Sequence, residues 1–199
     1  FIQNGVDLDY FSSVQLKESR KSIIFTGAMD YFPNIDAVQF FAREALPIVH
    51  SSIPDARFLI VGSNPSREVR MLANLPGVTV TGTVKDVRPY LADAGVAVVP
   101  IKISQGIQNK ILEAMAGGLP VVATKAALDG MGLAKGLALA EANDARSFAE
   151  HVIKFLKNPL TDTQIETCRQ LLRLNYSWDT NLSAFDQLFN QLVPIHSIA

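Results

Sequence analysis

Short apolar runs alternate with longer amphipathic segments through the first two thirds of the chain. These mainly apolar runs cover residues 23–25, 58–61, 78–80, 95–99 and 120–123, with a weaker one at 137–140. Strands that are apolar on both faces are typical of parallel sheets covered by helices on both sides. The pattern predicts an α/β fold with a doubly wound, Rossmann-like parallel sheet, which binds its ligands at the carboxyl ends of the strands.

Helical periodicity fills the intervals between these strands. The clearest example follows Pro33, where one apolar stripe contains Ile35, Val38, Phe41, Ala45 and Ile48. Shorter helices are predicted at 67–73, 87–92 and 108–116. From residue 144 the pattern is helical only, at 145–158, 162–175 and 178–193, with Ser177 as the N-cap of the last helix. We therefore expect an α/β core over 21–143 and C-terminal helices over 144–199, within a single domain.

Composition narrows the class of protein. The 199 residues have a net charge of −1 and contain no basic run, which argues against nucleic acid as a main partner. The single cysteine, Cys168, excludes an internal disulfide and a cysteine-rich metal site. No apolar run approaches the roughly 20 residues that span a membrane, and we expect a cytoplasmic protein. The first residue is Phe1, so we expect a fragment of a longer chain.

Small and polar residues follow each predicted strand. Gly27, Gly62 and Gly82 stand at three of these strand ends, and Gly106 follows a fourth. A glycine lets a ligand approach the backbone closely, but each one alone is also explained by a tight turn. In a parallel sheet these strand ends lie along one edge, where together they would line a binding site.

The segment 105–116 carries the most specific chemistry. Gly106 precedes a predicted helix whose first turn offers unbonded N–H groups and the positive end of the helix dipole, which suits a diphosphate. Lys110 adds a positive charge, and Glu113 could accept hydrogen bonds from a ribose diol. Asn109 and Glu113 share a face with Gly117, opposite the apolar residues Ile111, Leu112, Met115 and Ala116. The competing interpretation is an exposed Lys110–Glu113 ion pair, worth only about 0.2–0.5 kcal/mol.

The same segment resembles the donor-binding signature of family-four, retaining glycosyltransferases of the GT-B fold. The resemblance is carried by Gly106, Asn109, Lys110, the run from Glu113 to Ala116, Gly118 and the run from Pro120 to Thr124. Flanking pieces follow in the family's order: Asn4-Gly5-Val6-Asp7, Phe25-Thr26-Gly27, Gly82-Thr83-Val84, Tyr90-Leu91-Ala92-Asp93 and Tyr176-Ser177-Trp178. The resemblance implies the donor-binding half of a hexosyltransferase, with residues 1–20 next to the interdomain hinge and the amino-terminal acceptor domain outside this sequence.

A narrower likeness concerns residues 27–38 and 106–110. These segments resemble the sugar transferases linked to exosortase-type exopolysaccharide clusters. That likeness implies transfer of a sugar to a glycan or lipid-linked acceptor in exopolysaccharide or cell-surface polysaccharide synthesis. A lipid-linked acceptor would bring the full-length protein to the inner face of the membrane as a peripheral partner.

The donor is expected to be a UDP- or GDP-type nucleotide diphosphate sugar, with no metal and no other cofactor. The expected substrate-binding residues are Gly27, Gly62, Gly82, Val84, Gln105, Gly106, Ile107, Asn109, Lys110 and Glu113. Backbone groups near Gly82 and Val84 would contact the base, and Glu113 would contact the ribose. Some catalytic residues would belong to the acceptor domain, so the isolated chain is expected to be inactive.

Two departures from the family pattern modify this expectation. The family commonly has two glutamates eight positions apart, and the first of them is replaced by Gln105. The family also often has a basic residue just after the first-strand glycine, whereas Ala28-Met29-Asp30 follows Gly27 here. Lys110 is then the candidate cation for stabilising the leaving diphosphate.

Two alternatives stay open on the sequence alone. A nucleotide-sugar epimerase can share this architecture, but it would need acidic and histidine residues at the donor sugar. The three histidines, His50, His151 and His196, are scattered on helical stretches and are expected at the surface. A non-catalytic module that binds a nucleotide sugar or a protein is the other alternative. We also expect the last helix to cross back onto the acceptor domain, leaving apolar surface near Phe185, Phe189 and Leu192 uncovered in this chain.

Overall fold

The computed structural model describes residues 4–18, 20–104, 106–132, 138–178 and 181–182. Gln105, His196 and the apolar residues Phe185, Phe189 and Leu192 lie outside these ranges, as does most of the predicted helix at 178–193. The expectations that concern them stay predictions.

A six-stranded parallel sheet forms the centre of the fold. Its strands are β1 (Ser22–Thr26), β2 (Arg57–Val61), β3 (Val78–Gly82), β4 (Ala94–Val99), β5 (Val121–Ala123) and β6 (Leu139–Glu141), arranged in the order β3-β2-β1-β4-β5-β6. Every neighbouring pair is parallel. This confirms the doubly wound, Rossmann-like sheet, and the strand order reverses between β1 and β4, where such folds bind ligands.

Helices cover both faces of the sheet. They are α1 (Leu8–Ser12), α2 (Phe32–Phe40), α3 (Leu46–Ser52), α4 (Arg67–Met71), α5 (Arg88–Asp93), α6 (Asn109–Ala116), α7 (Lys125–Leu128), α8 (Ala145–Lys157) and α9 (Asp162–Tyr176). One group consists of α3 and α8, and α8 packs on β4 and β5. A second group consists of α1, α6 and α9, and α6 packs on the same two strands. The elements predicted within the described residues are therefore present, with ends shifted by one or two residues and with α1 and α7 in addition.

The prediction of one regular helix after Pro33 is wrong. A π-helical segment, Phe41–Ala45, separates α2 from α3. Pro47 has no N–H to continue the α-helical hydrogen bonds, and the wider turn moves the apolar stripe along by one residue. Ile48, predicted to lie on the stripe, is consequently 38% exposed, whereas its neighbour Val49 is fully buried.

The segment from Asn4 to Glu18 is attached to α6, which carries the predicted site, and to α9. The Arg169 guanidinium on α9 donates hydrogen bonds to the Ala116 carbonyl at 3.0 Å and to the Ser12 carbonyl at 3.3 Å, and so joins the ends of α6 and α1. Val6 donates its N–H to the Tyr176 carbonyl at 2.8 Å. These contacts fix α6, the helix of the predicted site, against the rest of the domain.

The end of α9 also marks a change of direction. Ser177 is extended and ends α9, and its carbonyl accepts the N–H of Asn181 at 3.1 Å. Cys168 is buried on α9 as a free thiol. Across the described residues, none of the helices has the length and apolar character needed to cross a bilayer.

Candidate functional site

A cleft of about 480 Å³ opens where the carboxyl ends of β1, β2 and β3 face the first turn of α6. It is lined by Thr26, Gly27, Val61, Gly62, Ser63, Thr83, Val84, Val87, Ile107, Asn109, Lys110 and Glu113. Three strand exits and one helix N-terminus therefore meet at one place. This is the location that the order of the strands favours for a ligand.

Two glycines lie in close contact at the floor of the cleft. A side chain at Gly62 would place its Cβ only 1.6 Å from the Gly27 carbonyl oxygen. The ends of β1 and β2 can approach each other this closely only because Gly62 carries no side chain. Their backbone atoms are consequently accessible at the base of the cleft.

Two further predicted glycines have a different role. Gly82 has a φ of +71° and Gly106 a φ of +74°, the left-handed region that favours glycine. A Cβ at either position would meet no atom within 4 Å. Neither residue lines the cleft itself, but each one turns the chain so that the following residue, Thr83 or Ile107, does.

The N-terminus of α6 points its first turn towards the cleft. Gln108 is the N-cap residue, but its side chain makes no cap hydrogen bond and instead donates to the Ser104 hydroxyl at 2.9 Å. The N–H groups at the start of α6 are therefore not capped by this side chain, which leaves them oriented for an anionic ligand. The opposite face, with Ile111, Leu112, Met115 and Ala116, is buried as expected.

Lys110 is the cation of the cleft. Its Nζ donates to Oδ1 of Asn34 at 2.7 Å and lies 4.3 Å from the centroid of the Phe25 ring. The side chain reaches the end of β1, because a Cβ added at Gly27 would lie 3.1 Å from this Nζ. Burial lowers the pKa of Lys110 to about 8, and the nearby charge of Glu113 acts in the opposite direction. The Lys110 ammonium thus lies at the end of β1, beside the glycine turn.

Glu113 faces the cleft one turn further along α6. Burial raises its pKa above the ordinary value, and the charge of Lys110 opposes that shift. Among the described residues, the salt bridges do not include a Lys110–Glu113 pair. Both side chains are half-buried, so the alternative of an exposed ion pair is wrong.

Most of the predicted site residues meet at the cleft. Gly27, Gly62, Val84, Ile107, Asn109, Lys110 and Glu113 line it. Gly82 and Gly106 adjoin it, and Gln105 lies outside the described residues. The prediction missed Thr26, Val61, Ser63, Thr83 and Val87, which stand at or just beyond strand ends, and it missed the role of Asn34.

The expectation that the histidines lie at the surface needs correction. His50 is half-buried, and its Nε2 lies 3.0 Å from the Ala56 carbonyl oxygen. His151 is half-buried on α8, beside β6. Both positions are on helix faces turned partly towards the core, because the helices cover the sheet on both sides. Neither residue lines the cleft.

Comparison with protein families identifies one match. The sequence profile described as glycosyl transferases group 1 matches residues 20–158, which is more than half of the chain. No curated protein sequence compared with the chain matches it.

Solved structures share the fold over nearly the whole chain. Sucrose-phosphate synthase from Thermosynechococcus elongatus is 22% identical with a TM-score of 0.73, covering 96% of this chain and 52% of its own. A glycosyltransferase from Rickettsia africae is 17% identical with a TM-score of 0.76, covering 98% of this chain and 57% of its own. HepE from Anabaena, solved with UDP and glucose, is 13% identical with a TM-score of 0.71, covering 95% of this chain and 56% of its own. The chain thus spans about half the length of these structures, and its fold matches one half of a GT-B glycosyltransferase.

Proposed function

Because the chain belongs to the family of glycosyl transferases group 1, we propose that its cleft binds the nucleotide diphosphate part of a sugar donor. The observation that carries this proposal is the position of the Lys110 ammonium. It lies beside Gly27, at the end of β1 and the N-terminus of α6, without a salt bridge to any described carboxylate. A cation placed in this way has its charge available for an anionic ligand.

Each part of the cleft suits one part of such a donor. The diphosphate would lie between the first turn of α6 and Lys110, where N–H groups and a positive charge converge. The ribose diol would reach Glu113, and the base would contact the backbone at Thr83 and Val84. As the bond between sugar and diphosphate breaks, negative charge grows on the leaving diphosphate, and Lys110 would stabilise it. No metal enters this proposal.

We further propose that the full-length protein is a retaining, family-four hexosyltransferase whose acceptor domain lies outside this sequence. The proposal is supported by the signature resemblance and by the chain spanning about half of its structural neighbours. The likeness of residues 27–38 to exosortase-linked transferases supports a glycan or lipid-linked acceptor in polysaccharide synthesis on the cytoplasmic side of the membrane. The isolated chain is then expected to bind donor but to transfer no sugar.

Calorimetric titration with UDP and with GDP tests the donor site. UDP is the first ligand to try, because HepE from Anabaena was solved with UDP and glucose. We expect one of the two nucleotides to bind the wild-type chain, Lys110→Ala to weaken binding about 100-fold and Glu113→Ala about tenfold, as charge-assisted hydrogen bonds are lost. If the wild-type chain binds neither nucleotide at millimolar concentration, the proposal is contradicted.

Matched controls separate the site from a general effect of charge. Lys157→Ala, on α8, and Glu166→Ala, on α9, remove the same charges from exposed positions outside the cleft. Both controls are expected to bind the nucleotide as the wild type does. A loss in the controls equal to that in Lys110→Ala and Glu113→Ala would show that net charge, and not the cleft, governs binding.

The epimerase alternative is separated in the full-length protein. His50 and His151 lie away from the cleft, so neither supplies the histidine that an epimerase would need. A transferase releases free nucleoside diphosphate only when an acceptor is present, whereas an epimerase interconverts two nucleotide sugars without one. Interconversion in the absence of acceptor would contradict the transferase proposal.

A further inference from the structure

Asn34 is one of the few polar residues buried in this fold. It lies in the first turn of α2 and is only 5% exposed. Its Nδ2 donates to the Ala28 carbonyl at 2.9 Å, and its Oδ1 accepts from Lys110 Nζ at 2.7 Å. The amide thereby ties the loop after β1 to a side chain of α6. The two residues that share the second bond are 76 positions apart.

The amide holds the cation without neutralising it. The groups that face the Lys110 ammonium are the Asn34 amide from α2, the Phe25 ring from β1 and, on its own helix, the carboxylate of Glu113. Glu113 is the only charged group among them, and no salt bridge joins it to Lys110 within the described residues. An amide oxygen and an aromatic face both orient an ammonium group, and neither removes its net charge.

Gly27 provides the space for this pair. A Cβ at position 27 would lie 2.9 Å from Asn34 Nδ2 and 3.1 Å from Lys110 Nζ. The amide and the ammonium therefore lie directly against the backbone at the end of β1. The glycine thus accommodates the Asn34–Lys110 pair.

We propose that Asn34 is a positioning residue, which holds the Lys110 ammonium against Gly27 at the floor of the cleft and leaves its charge available to the diphosphate. The inference rests on the proposed function for the identity of the ligand. It adds that the neutral side chain at position 34 is required, because a carboxylate there would satisfy the cation internally. A purely structural Asn34 would only brace the loop at Ala28.

Asn34→Asp tests the inference with almost no change of shape. The nucleotide that binds the wild-type chain, and inorganic pyrophosphate, are titrated between pH 6.5 and 9.5. We expect Asn34→Asp to weaken both at least about tenfold at pH 7, because the new carboxylate competes for the ammonium. We also expect the alkaline loss of binding to move to higher pH, since a neighbouring carboxylate favours the charged lysine. Asn74→Asp, at an exposed position, is the control and should bind as the wild type does.

A double-mutant cycle covers the case in which Asn34→Asp folds poorly. Asn34→Ala is combined with Lys110→Met, and the losses of affinity are compared. If Asn34 acts through Lys110, the double variant binds no more weakly than Lys110→Met alone. If the losses of affinity in Asn34→Ala and Lys110→Met add in full in the double variant, the inference is overturned. It is also overturned if Asn34→Asp binds with wild-type affinity and the pH midpoint of its binding is unchanged.

Titration of the Lys110 Nζ resonance in the ligand-free protein keeps the two proposals distinguishable. Asn34→Asp should raise its midpoint above the wild-type value, whether or not a nucleotide binds, and an unchanged midpoint would count against the inference. A wild-type chain that binds neither nucleotide nor pyrophosphate would overturn the proposed function and the positioning role together. Binding that depends on Lys110 but not on Asn34 would overturn the positioning role alone.

Discussion

Charged side chains at the two ends of the parallel sheet have different kinds of partner. At the amino end, Asp93 accepts from Lys17 at 3.0 Å, from Arg57 at 3.0 Å and from the buried Ser22 hydroxyl at 3.2 Å. At the carboxyl end, Lys110 lies between an amide oxygen and an aromatic ring, with no salt bridge to a described carboxylate. The Asp93 carboxylate is thus neutralised by two basic partners, whereas the half-buried Lys110 keeps its charge available.

The pKa values follow this difference. Burial is the largest influence on Asp93 and raises its pKa, but the hydrogen bonds from Lys17 and Ser22 and the charges of Arg57 and Lys17 together hold the pKa below its ordinary value. For Lys110 burial prevails over Glu113, and the pKa falls to about 8. The charge of Asp93 therefore stabilises the fold, whereas the charge of Lys110 opposes folding and, under the proposed function, would serve to bind the diphosphate.

Lys110→Met should separate binding from stability most strongly. We expect about a 100-fold loss of nucleotide affinity, since a charge-assisted contact to the diphosphate is lost. We expect the melting temperature to be equal to or above that of the wild type, because removal of a desolvated charge offsets the lost bond to Asn34. Calorimetric titration and thermal unfolding measure the two effects. A variant that is clearly less stable than Lys157→Met would contradict the idea that this charge opposes folding.

Asp93→Asn, at the amino end, should lower stability and leave nucleotide binding almost unchanged. Replacing the carboxylate weakens its bonds to Lys17 and Arg57, and we expect unfolding free energy to fall by about 2 kcal/mol. Nucleotide affinity should stay within twofold of the wild type, because Asp93 lies at the far end of the sheet. Urea denaturation with a parallel titration measures both. A variant of unchanged stability would show that the amino-end cluster contributes little.

The pH dependence of binding should also distinguish the two ends. Because the folded pKa of Lys110 lies below its ordinary value of 10.5, the charged form that binds the diphosphate is lost as pH rises through about 8. We expect affinity to fall about tenfold between pH 7 and pH 9. The charge of Lys110 disfavours folding fully below about pH 8, and this penalty disappears as pH rises towards 10.5. The free energy of unfolding should therefore increase over that range. Measuring wild type and Lys110→Met side by side isolates both effects, and parallel pH profiles for the two proteins would contradict them.

The smallest effect is expected from Lys17→Met. The Lys17 side chain is 62% exposed, so its ion pair with Asp93 is screened by solvent and should contribute about 0.5 kcal/mol. The loss should disappear in 1 M salt, where the screening length is only about 3 Å. Denaturation at low and high salt measures it. A loss of the same size at both salt concentrations would assign the effect to packing of the lysine stem.

The sheet could be predicted from the sequence because its physical signal is local. β1, β2 and β4 are short apolar runs bounded by turn residues, which is what a strand buried on both faces requires. The same reasoning does not reveal α1 or α7, because helices of five and four residues are stable only through tertiary contacts. It also misses the π-helical segment. This segment shifts the buried face of the helix by one residue, which is visible only when the exposures of Ile48 and Val49 are compared in the fold.

The site was predictable to the extent that it lies on α6 and on the glycine turns. Gly106, Lys110 and Glu113 follow one another closely, so a helix N-terminus with a cation could be inferred from spacing. The partners of Lys110 could not, because Phe25 and Asn34 are brought to it by folding across 76 or more positions. For the same reason, the choice between an exposed ion pair and a buried cation required the structure.

A crystal structure of this chain soaked with the nucleotide it binds would test the central claim most directly. The account predicts the diphosphate at the N-terminus of α6, with one of its oxygens about 2.7–2.9 Å from Lys110 Nζ and the ribose hydroxyls at Glu113. A diphosphate bound elsewhere on the domain, with Lys110 making no contact to it, would contradict the account.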